Sequence, residues 1–189
     1  MSNSITPRRI GVLGGTGAEG SGLAWRWAQA GHAVYIGSRD AAKAAAAAAE
    51  MNAKLGRAVV QGGSNADAAA ASDIAVLCVP YAAQQATALG VKEQLAGKIL
   101  VDVTVPLVPP KVANVQLPAG GSCVVALQQA LGEGVKVVSA FQNVGAHHFN
   151  DAGGHAIECD VLVCGDSRGA RDQVVALVES AGLRGIHAG

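Results

Sequence analysis

The sequence predicts an α/β fold in which a doubly wound, mostly parallel sheet is covered by helices on both faces. Apolar, β-branched runs alternate along the chain with alanine-rich helical segments, which is the order that a parallel sheet requires. The first apolar run also breaks directly into a glycine-rich turn and a helix, within residues 9–20. A chain of 189 residues suffices for one such domain, so residues 1–189 are expected to form a single unit.

The first half of the chain is predicted to contain four strands and three helices. In order, they are a strand at 9–14, a helix at 17–30, a strand at 33–37, a helix from Asp40 to about Leu55, a short strand at 58–60, a helix at 65–71 and a strand at 73–79. Gly31 ends the first helix, and Asp40 is the expected N-cap of the second, which is nearly all alanine. Pro80 closes the last strand, because it lacks the N–H group that a central strand needs.

The second half continues the alternation around one proline-rich loop. Helical stretches lead to a strand at 99–103, and after the loop at 106–118 come a helix at 123–131, a strand at 135–140, a segment at 144–150, a strand at 160–164, a helix at 167–181 and a strand at 183–187. Long loops in a compact domain usually carry function, so this one is expected to pass over an active site.

Charge and hydropathy exclude two classes of partner. The formal net charge is zero and aromatic residues make up 3% of the chain, whereas nucleic-acid binding needs clustered positive charge and rings that stack on bases. No run of about 18 apolar residues is free of Gly, Pro or charge, so no membrane span is expected. Residues 1–9 contain no apolar segment, and no secretory signal is expected either.

Cysteine usage and hydrophobicity bear on compartment and assembly. The four cysteines form no CxxC pair, and three of them lie in apolar strand-like runs, so a reduced, cytoplasmic protein without a structural metal is expected. Hydrophobic residues make up 50% of the chain. A chain this apolar often buries surface against another copy of itself, which favours a homo-oligomer, in the simplest case a dimer.

The glycine-rich turn predicts a dinucleotide site. Gly15, Gly17 and Gly20 have the GxGxxG spacing that lets backbone approach a pyrophosphate, and the helix behind them presents unpaired N–H groups. Glycine accounts for 25 of the 189 residues, so the spacing alone is weak support. Its setting between a buried strand and a helix strengthens it, and together they predict a Rossmann-type fold.

The end of the second strand indicates which dinucleotide binds. NAD-specific sites usually place Asp or Glu there to accept from the ribose 2′-hydroxyl, but this chain has Ser38 and Arg39, with Lys43 one helical turn further on. A hydroxyl and two cations suit the 2′-phosphate of NADP. In the alternative interpretation, Arg39 is a solvated surface charge and Asp40 is only a helix cap.

Further residues at the turn and at strand ends are candidates for the same site. The hydroxyl of Thr16, inside the turn, is placed either to contact a phosphate oxygen or to cap the helix. Val79 and Pro80 follow the fourth strand and are expected beside the cofactor, because ligands bind outside the carboxyl ends of parallel strands. Asp102 and Thr104 end the fifth strand, where they either orient the nicotinamide or form a turn.

No acid–base constellation is recognisable. His147 and His148 are adjacent and therefore face different directions on a helix, and neither His155 nor Cys159 adds a metal-ligand spacing. His32 is expected to be a turn residue. The pattern fits a reaction in which the protein aligns two rings for hydride transfer, so no catalytic residue and no metal ligand is assigned.

An ordered set of motifs along nearly the whole chain resembles the reductases that pass hydride between NADP and the deazaflavin coenzyme F420. The motifs lie at 10–17 with Gly20, 37–39 with Lys43, 75–80, 97–102 with 106–107, 138–144 with Ala146, 160–166 and 182–189. Glycine and strand motifs recur across NADP-binding folds, so the order of the whole set is more specific than any one motif.

The resemblance implies a division of the site into two halves. The NADP phosphates are held by Thr16, Ser38, Arg39 and Lys43, with Val79 and Pro80 beside the adenosine half. A deazaflavin pocket is bordered by 142–144 and the loop after Asp102, so that about 104–160 line the second-substrate side. All the residues expected to bind cofactor are Gly14, Gly15, Thr16, Gly17, Ala18, Glu19, Gly20, Ser38, Arg39, Lys43, Val79, Pro80 and Val144. Members of that family continue past the glycine that matches Gly189 into a helical segment, which this sequence is expected to lack.

Two alternatives to the F420 reaction stay open at the level of sequence. In one, the same NADP half serves a reductase of another small acceptor, such as a flavin, quinone, imine or carbonyl. In the other, the chain binds NADP(H) without turnover as a regulatory protein, which the lack of an acid–base pair would suit. The F420 reaction is the interpretation that the motif set favours.

Overall fold

The computed structural model describes residues 6–150 and 156–189. Strands and helices alternate along the chain as β1 Arg9–Leu13, α1 Ala18–Gln29, β2 Ala33–Ser38, α2 Ala41–Leu55, β3 Val60–Ser64, α3 Asn65–Ala71, β4 Ile74–Leu77, α4 Gln84–Leu89, β5 Ile99–Asp102, α5 Cys123–Leu131, β6 Lys136–Ser139, β7 Asp160–Val163, α6 Arg168–Ser180 and β8 Arg184–His187. Short 3-10 turns lie at Tyr81–Ala83 and Ala146–Asn150. Helix and strand types agree with the sequence prediction throughout.

The main sheet has six parallel strands in the order β3-β2-β1-β4-β5-β6. The chain runs outward from β1 to β3 and then crosses back to place β4 on the other side of β1. This reversal opens a crevice at the carboxyl ends of β1 and β4, which is where such sheets bind ligands. The doubly wound, Rossmann-type fold predicted from the sequence is confirmed.

Both faces of the sheet are covered by apolar side chains. On one face Trp27, Phe141 and Phe149 meet edge to face, with ring centroids 6.1 and 6.0 Å apart, and the Trp27 indole N–H donates to the Leu177 carbonyl at 3.0 Å. On the other face, α3 to α5 bury a second cluster that includes Leu100. None of the described helices is long and apolar enough to cross a membrane.

The last two strands stand apart from the main sheet. β7 and β8 form a parallel pair of their own, joined to β6 by one antiparallel bridge between Ser139 and Cys164. Helix α6 packs against β8. The sequence predicts two strands at these places, but an alternating apolar pattern does not identify the neighbour with which each strand pairs.

The third strand corrects the sequence prediction. It was expected at 58–60, and the structure places it at Val60–Ser64, paired in register with β2 from Val34 to Ser38. The prediction was wrong because Gly62 and Gly63 argue against a strand. At Gly62 the strand passes so close to α2 that a Cβ would collide with the Ala44 carbonyl. Glycine is therefore required here by packing between helix and strand.

Candidate functional site

The glycine turn is held between the ends of three neighbouring elements. The Gly15 N–H donates to the Gly37 carbonyl at the end of β2 over 2.9 Å, and the Gly14 N–H donates to Oδ1 of Asn65 over 3.1 Å. Gly14 has a φ of +76°, and a Cβ there would lie 2.5 Å from the Cys78 carbonyl oxygen. Only glycine fits this conformation and this contact. Asn65 was not singled out from the sequence.

The start of α1 is open towards solvent. Gly17 is the N-cap in an extended conformation, with φ −77° and ψ 167°, and no side chain of the described residues caps the helix. Thr16 is half-buried and does not cap α1, so of the two roles predicted for it only the phosphate contact remains, as a prediction. A Cβ at Gly17 would meet only the Gly14 carbonyl oxygen, at 3.6 Å. This space and the uncapped N–H groups fit a diphosphate.

Two cations lie one strand away from the turn. Because Leu13 pairs with Gly37, the residues that follow β2 stand beside the turn that follows β1. Arg39 and Lys43 are both exposed, and neither side chain makes an ion pair with another described residue. Such unpaired cations are suited to a phosphate dianion.

The backbone that carries these cations is fixed by two short-range hydrogen bonds. Ser38 is nearly buried, and its Oγ accepts from the Asp40 N–H at 3.1 Å. Asp40 caps α2 as predicted, since its Oδ1 accepts from the Lys43 N–H at 3.0 Å. Asp40 is therefore a helix cap whether or not Arg39 binds a ligand. The Ser38 hydroxyl is already engaged, and its contact with a phosphate stays a prediction.

The remaining predicted site residues divide between two places. Val79, half-buried, and Pro80, exposed, follow β4 directly behind the turn, where the Cys78 N–H donates to the Leu13 carbonyl at 2.8 Å. Val144 is only 7% exposed and lines a cavity of about 470 Å³ together with Asn143. The described lining of that cavity includes no residue of the glycine turn. The place of Val144 in the cofactor site therefore stays a prediction.

Glu19, in the first turn of α1, has an unusual acidity. Burial raises the pKa of its carboxyl from 4.5 to about 7. The buried thiol of Cys78 has its pKa raised well above the ordinary value, first by burial and then by the charges of Glu19 and Asp102. None of the described residues forms an ion pair with Glu19. A neutral Glu19 is the form that tolerates a neighbouring diphosphate.

Replacing Glu19 with glutamine is expected to remove a pH-dependent loss of stability. The folded protein keeps a proton that the unfolded chain releases, so the free energy of unfolding of the wild type falls as pH rises from 4.5 to about 7. Above that window the variant should be more stable by about 1–3 kcal/mol, and below it the two should agree. Urea unfolding across the pH range measures this difference. Parallel curves for the two proteins would contradict the assignment.

Asp102 and Thr104 form a hydrogen-bonded turn at the end of β5. Asp102 is 0% exposed, and its Oδ1 accepts from the Thr104 N–H at 3.0 Å while its Oδ2 accepts from the Gln84 amide at 2.5 Å. Of the two roles predicted for Asp102, the turn is the one that the structure shows. Burial raises the pKa of its carboxyl, and the hydrogen bonds from Thr104 and Gln84 oppose that rise. Gln84 carries no sequence signal and was missed.

Of the described histidines, His147 and His148 line the same cavity as Val144 and Asn143. His32 is buried before β2, where its Nδ1 accepts from the Arg8 N–H at 3.0 Å and burial lowers its pKa, as suits the predicted turn residue. The His147 and His148 rings lie side by side, with centroids 3.9 Å apart and planes tilted by 39°, so the prediction that they face different directions was wrong. His155 lies outside the described residues. Within the described part of the chain, no three His, Cys, Asp or Glu side chains are close enough together to hold a metal.

Comparison with known sequences connects this site to a reaction. A family model described as NADP oxidoreductase, coenzyme F420-dependent, matches residues 9–106. The F420-dependent NADP reductase of Methanothermobacter marburgensis is 41% identical over 188 residues, covering 96% of this chain and 84% of the relative. The F420-dependent NADP reductase of Methanocaldococcus jannaschii is 38% identical, covering 96% of this chain and 83% of the relative.

Comparison with solved structures also finds a protein described as a reductase of this kind. A protein of Arthrobacter sp. FB24, provisionally described as an F420-dependent NADP reductase, has a TM-score of 0.77 and 29% identity, covering 95% of this chain and 84% of that one. The pyrroline carboxylate reductase of Plasmodium falciparum with NADP bound has a TM-score of 0.62 and 19% identity, covering 95% and 57% of the two chains. This second likeness shows a shared fold alone.

Proposed function

The chain belongs to the coenzyme F420-dependent NADP oxidoreductase family. From this premise we propose that the site at the carboxyl ends of its parallel strands transfers hydride between NADP(H) and F420. The protein is an NADP-dependent oxidoreductase. The observation that carries the proposal is the pairing of an open glycine turn with two unpaired cations, Arg39 and Lys43, on the neighbouring strand end. The turn accommodates a diphosphate, and the cations accommodate the 2′-phosphate that distinguishes NADP from NAD.

Each predicted residue has a place in this proposal. The backbone from Gly14 to Gly20 holds the diphosphate, and Thr16 contacts one of its oxygens. The 2′-phosphate and the adenosine half are held by Ser38, Arg39, Lys43, Val79 and Pro80. Residues 1–189 act as one NADP-binding domain, in which about 104–160, with Val144, line the side of the deazaflavin.

The role proposed for the protein in this reaction is to align the two coenzymes. The two coenzymes supply the redox chemistry, since nicotinamide C4 gives hydride to the deazaflavin ring or takes it back. The protein fixes the nicotinamide half through the turn and the β4 end, and excludes water with the loop after β5. Holding two reactants in contact geometry can account for a rate gain of several orders of magnitude without any acid or base.

Mixing the purified protein with NADPH and F420 tests the reaction. We expect the visible absorption band of the oxidised deazaflavin to disappear, with one NADPH consumed for each F420 reduced, and NADH to be a much poorer donor. Protein that binds NADPH and leaves the band unchanged would contradict the proposal. Turnover with a flavin, quinone, imine or carbonyl instead would identify a reductase of another acceptor, and no turnover at all would indicate a regulatory binder.

We also propose that the protein is a homodimer. The loop between β5 and α5 exposes several large apolar side chains, among them Leu117 at 70% and Val115 at 54%, around a small bridge between Leu107 and Val115. Lone monomers rarely leave such a patch open to water. Light scattering coupled to size-exclusion chromatography measures the assembly, and a single monomeric mass at micromolar concentration would oppose it.

A cytoplasmic location is the last part of the proposal. Its support is that Cys78, Cys123, Cys159 and Cys164 are all free thiols in the structure. Reduced cysteines are typical of the cytoplasm, which is also where NADPH is available. Fractionation of the native host would test the location directly.

A further inference from the structure

A buried polar cluster lies where β4, β5 and β6 end. It consists of Gln84, Asp102, Thr104 and Gln142, and is called the strand-end network below. The Gln84 amide donates to Asp102 Oδ2 at 2.5 Å and to Thr104 Oγ1 at 2.8 Å, and the Gln142 amide donates to the Asp102 carbonyl at 2.6 Å. Gln84, Asp102 and Thr104 are 1%, 0% and 3% exposed. The network joins the start of α4, the end of β5 and the segment after β6.

The network anchors both ends of the loop between β5 and α5. Thr104 lies just after the start of the loop. Cys123 begins α5, and its thiol has a pKa that burial raises and that the nearby Thr104 and Gln84 side chains lower. Between these ends the loop has one isolated β-bridge, and residues 107–117 are exposed. A loop held mainly at its two ends takes its position from what holds those ends. The Gln84 amide, which donates to both Asp102 and Thr104, joins the start of the loop to α4.

The hydrogen bonds of the network require a donor side chain at position 84. Asp102 is a buried carboxyl whose partners are an amide and a backbone N–H, and the described residues place no cation against it. A buried polar group left without its partner costs free energy, so a side chain that cannot donate at position 84 would release the loop. The cluster lies at the β4–β5–β6 end of the sheet edge, whereas the NADP phosphates are assigned to the β1–β2 end.

We propose that Gln84 and Asp102 are positioning residues for the second redox partner: through Thr104 and Cys123 they set the loop that closes over the deazaflavin. The inference rests on the proposed function, since it concerns the other half of the same site. The affinity for F420 then depends on the strand-end network, whereas the affinity for NADPH depends on the glycine turn and the cations after β2.

The substitution Gln84→Glu, alone and together with Asp102→Asn, tests this proposal. In the single variant two buried carboxyls face each other and share one proton, and they repel each other once a rising pH removes it. In the double variant the carboxylate and the amide have exchanged places. The hydrogen bond between the two side chains is therefore restored, with position 102 as the donor and position 84 as the acceptor. Gln85→Glu is the matched control, because it makes the same change at an exposed neighbouring position of α4.

Two readouts separate positioning from general damage. Lys111 is the only Lys or Arg between Lys98 and Lys136, so trypsin cleavage there, compared between samples of equal oligomeric mass, reports loop order without any ligand. In the single variant, we expect cleavage at Lys111 and the KM for F420 to rise about tenfold as the pH is raised from about 6 to about 9, with the Kd for NADPH changed less than about twofold. Both effects should shrink as the pH falls and in the double variant, and be absent in Gln85→Glu.

Unchanged cleavage and KM in the single variant would overturn the proposal. A parallel loss of NADPH affinity, or a double variant as impaired as the single one, would also overturn it by indicating general destabilisation. If the wild type does not reduce F420, the proposed function fails and the assignment to F420 affinity fails with it. The cleavage comparison at Lys111 then still decides whether the network holds the loop.

Discussion

Aspartate in place of Arg39 is expected to weaken NADPH binding by about 100-fold or more, while NADH binding changes less than about threefold. Arg39 directly follows β2, the strand beside β1, and makes no ion pair within the described protein; we propose that its partner is the 2′-phosphate. The substitution removes a charge-assisted hydrogen bond and places a negative charge against the 2′-phosphate. NADH lacks that phosphate. Fluorescence titration with each reduced cofactor gives both dissociation constants.

The matched control for this prediction is Arg168→Asp. Arg168 is exposed at the start of α6 and undergoes the same change of charge. It should leave both affinities unaltered, which excludes a general effect of net charge on an anionic ligand. Equal losses of NADPH and NADH affinity in the Arg39 variant would mean that Arg39 does not contact the 2′-phosphate.

Serine in place of Gly17 is expected to weaken NADPH and NADH alike, by about 100-fold, without loss of stability. Serine is a preferred N-cap residue, the backbone at Gly17 has an ordinary negative φ, and a Cβ there meets only one atom at 3.6 Å. Folding therefore tolerates the change. The new side chain, however, occupies the space where the diphosphate meets the backbone and competes for the first N–H groups of α1.

Two measurements on the same samples separate these effects. Thermal unfolding should give the Gly17 variant a Tm equal to or above that of the wild type, and the titrations should show the loss of both cofactors. Gly169→Ser is the control, because a Cβ at Gly169 also meets open space, but on α6 and away from the turn. Unchanged affinity in the Gly17 variant would place the diphosphate elsewhere.

Local chemistry explains what the sequence could predict. The strand–turn–helix at residues 9–20, the Asp40 cap and the cations after β2 each depend on neighbours within a few positions, and the structure has the turn and the cap as expected. The exposure of Arg39 and its lack of an ion pair with other described residues agree with both interpretations that the sequence left open, so its contact with the ligand stays a prediction.

Long-range contacts explain what the sequence could not predict. The Asn65 side chain supports Gly14 across 51 positions, and Gln84 reaches Asp102 and Thr104 across 18 and 20. No period or motif marks an amide for such a role, because its partner is chosen by the tertiary fold. The extent of β3 was missed for the same reason, since the need for Gly62 arises only where α2 crosses the strand.

The transfer of deuterium tests the central claim most directly. NADPH that carries deuterium at nicotinamide C4 is mixed with F420 and the protein in ordinary water, and the reduced deazaflavin is examined by mass spectrometry. Direct hydride transfer in an aligned pair predicts one deuterium in the reduced deazaflavin from the correctly labelled face of NADPH, and none when the opposite face is labelled. Reduced deazaflavin that contains only solvent hydrogen with either label, or F420 that is not reduced at all, would contradict the account.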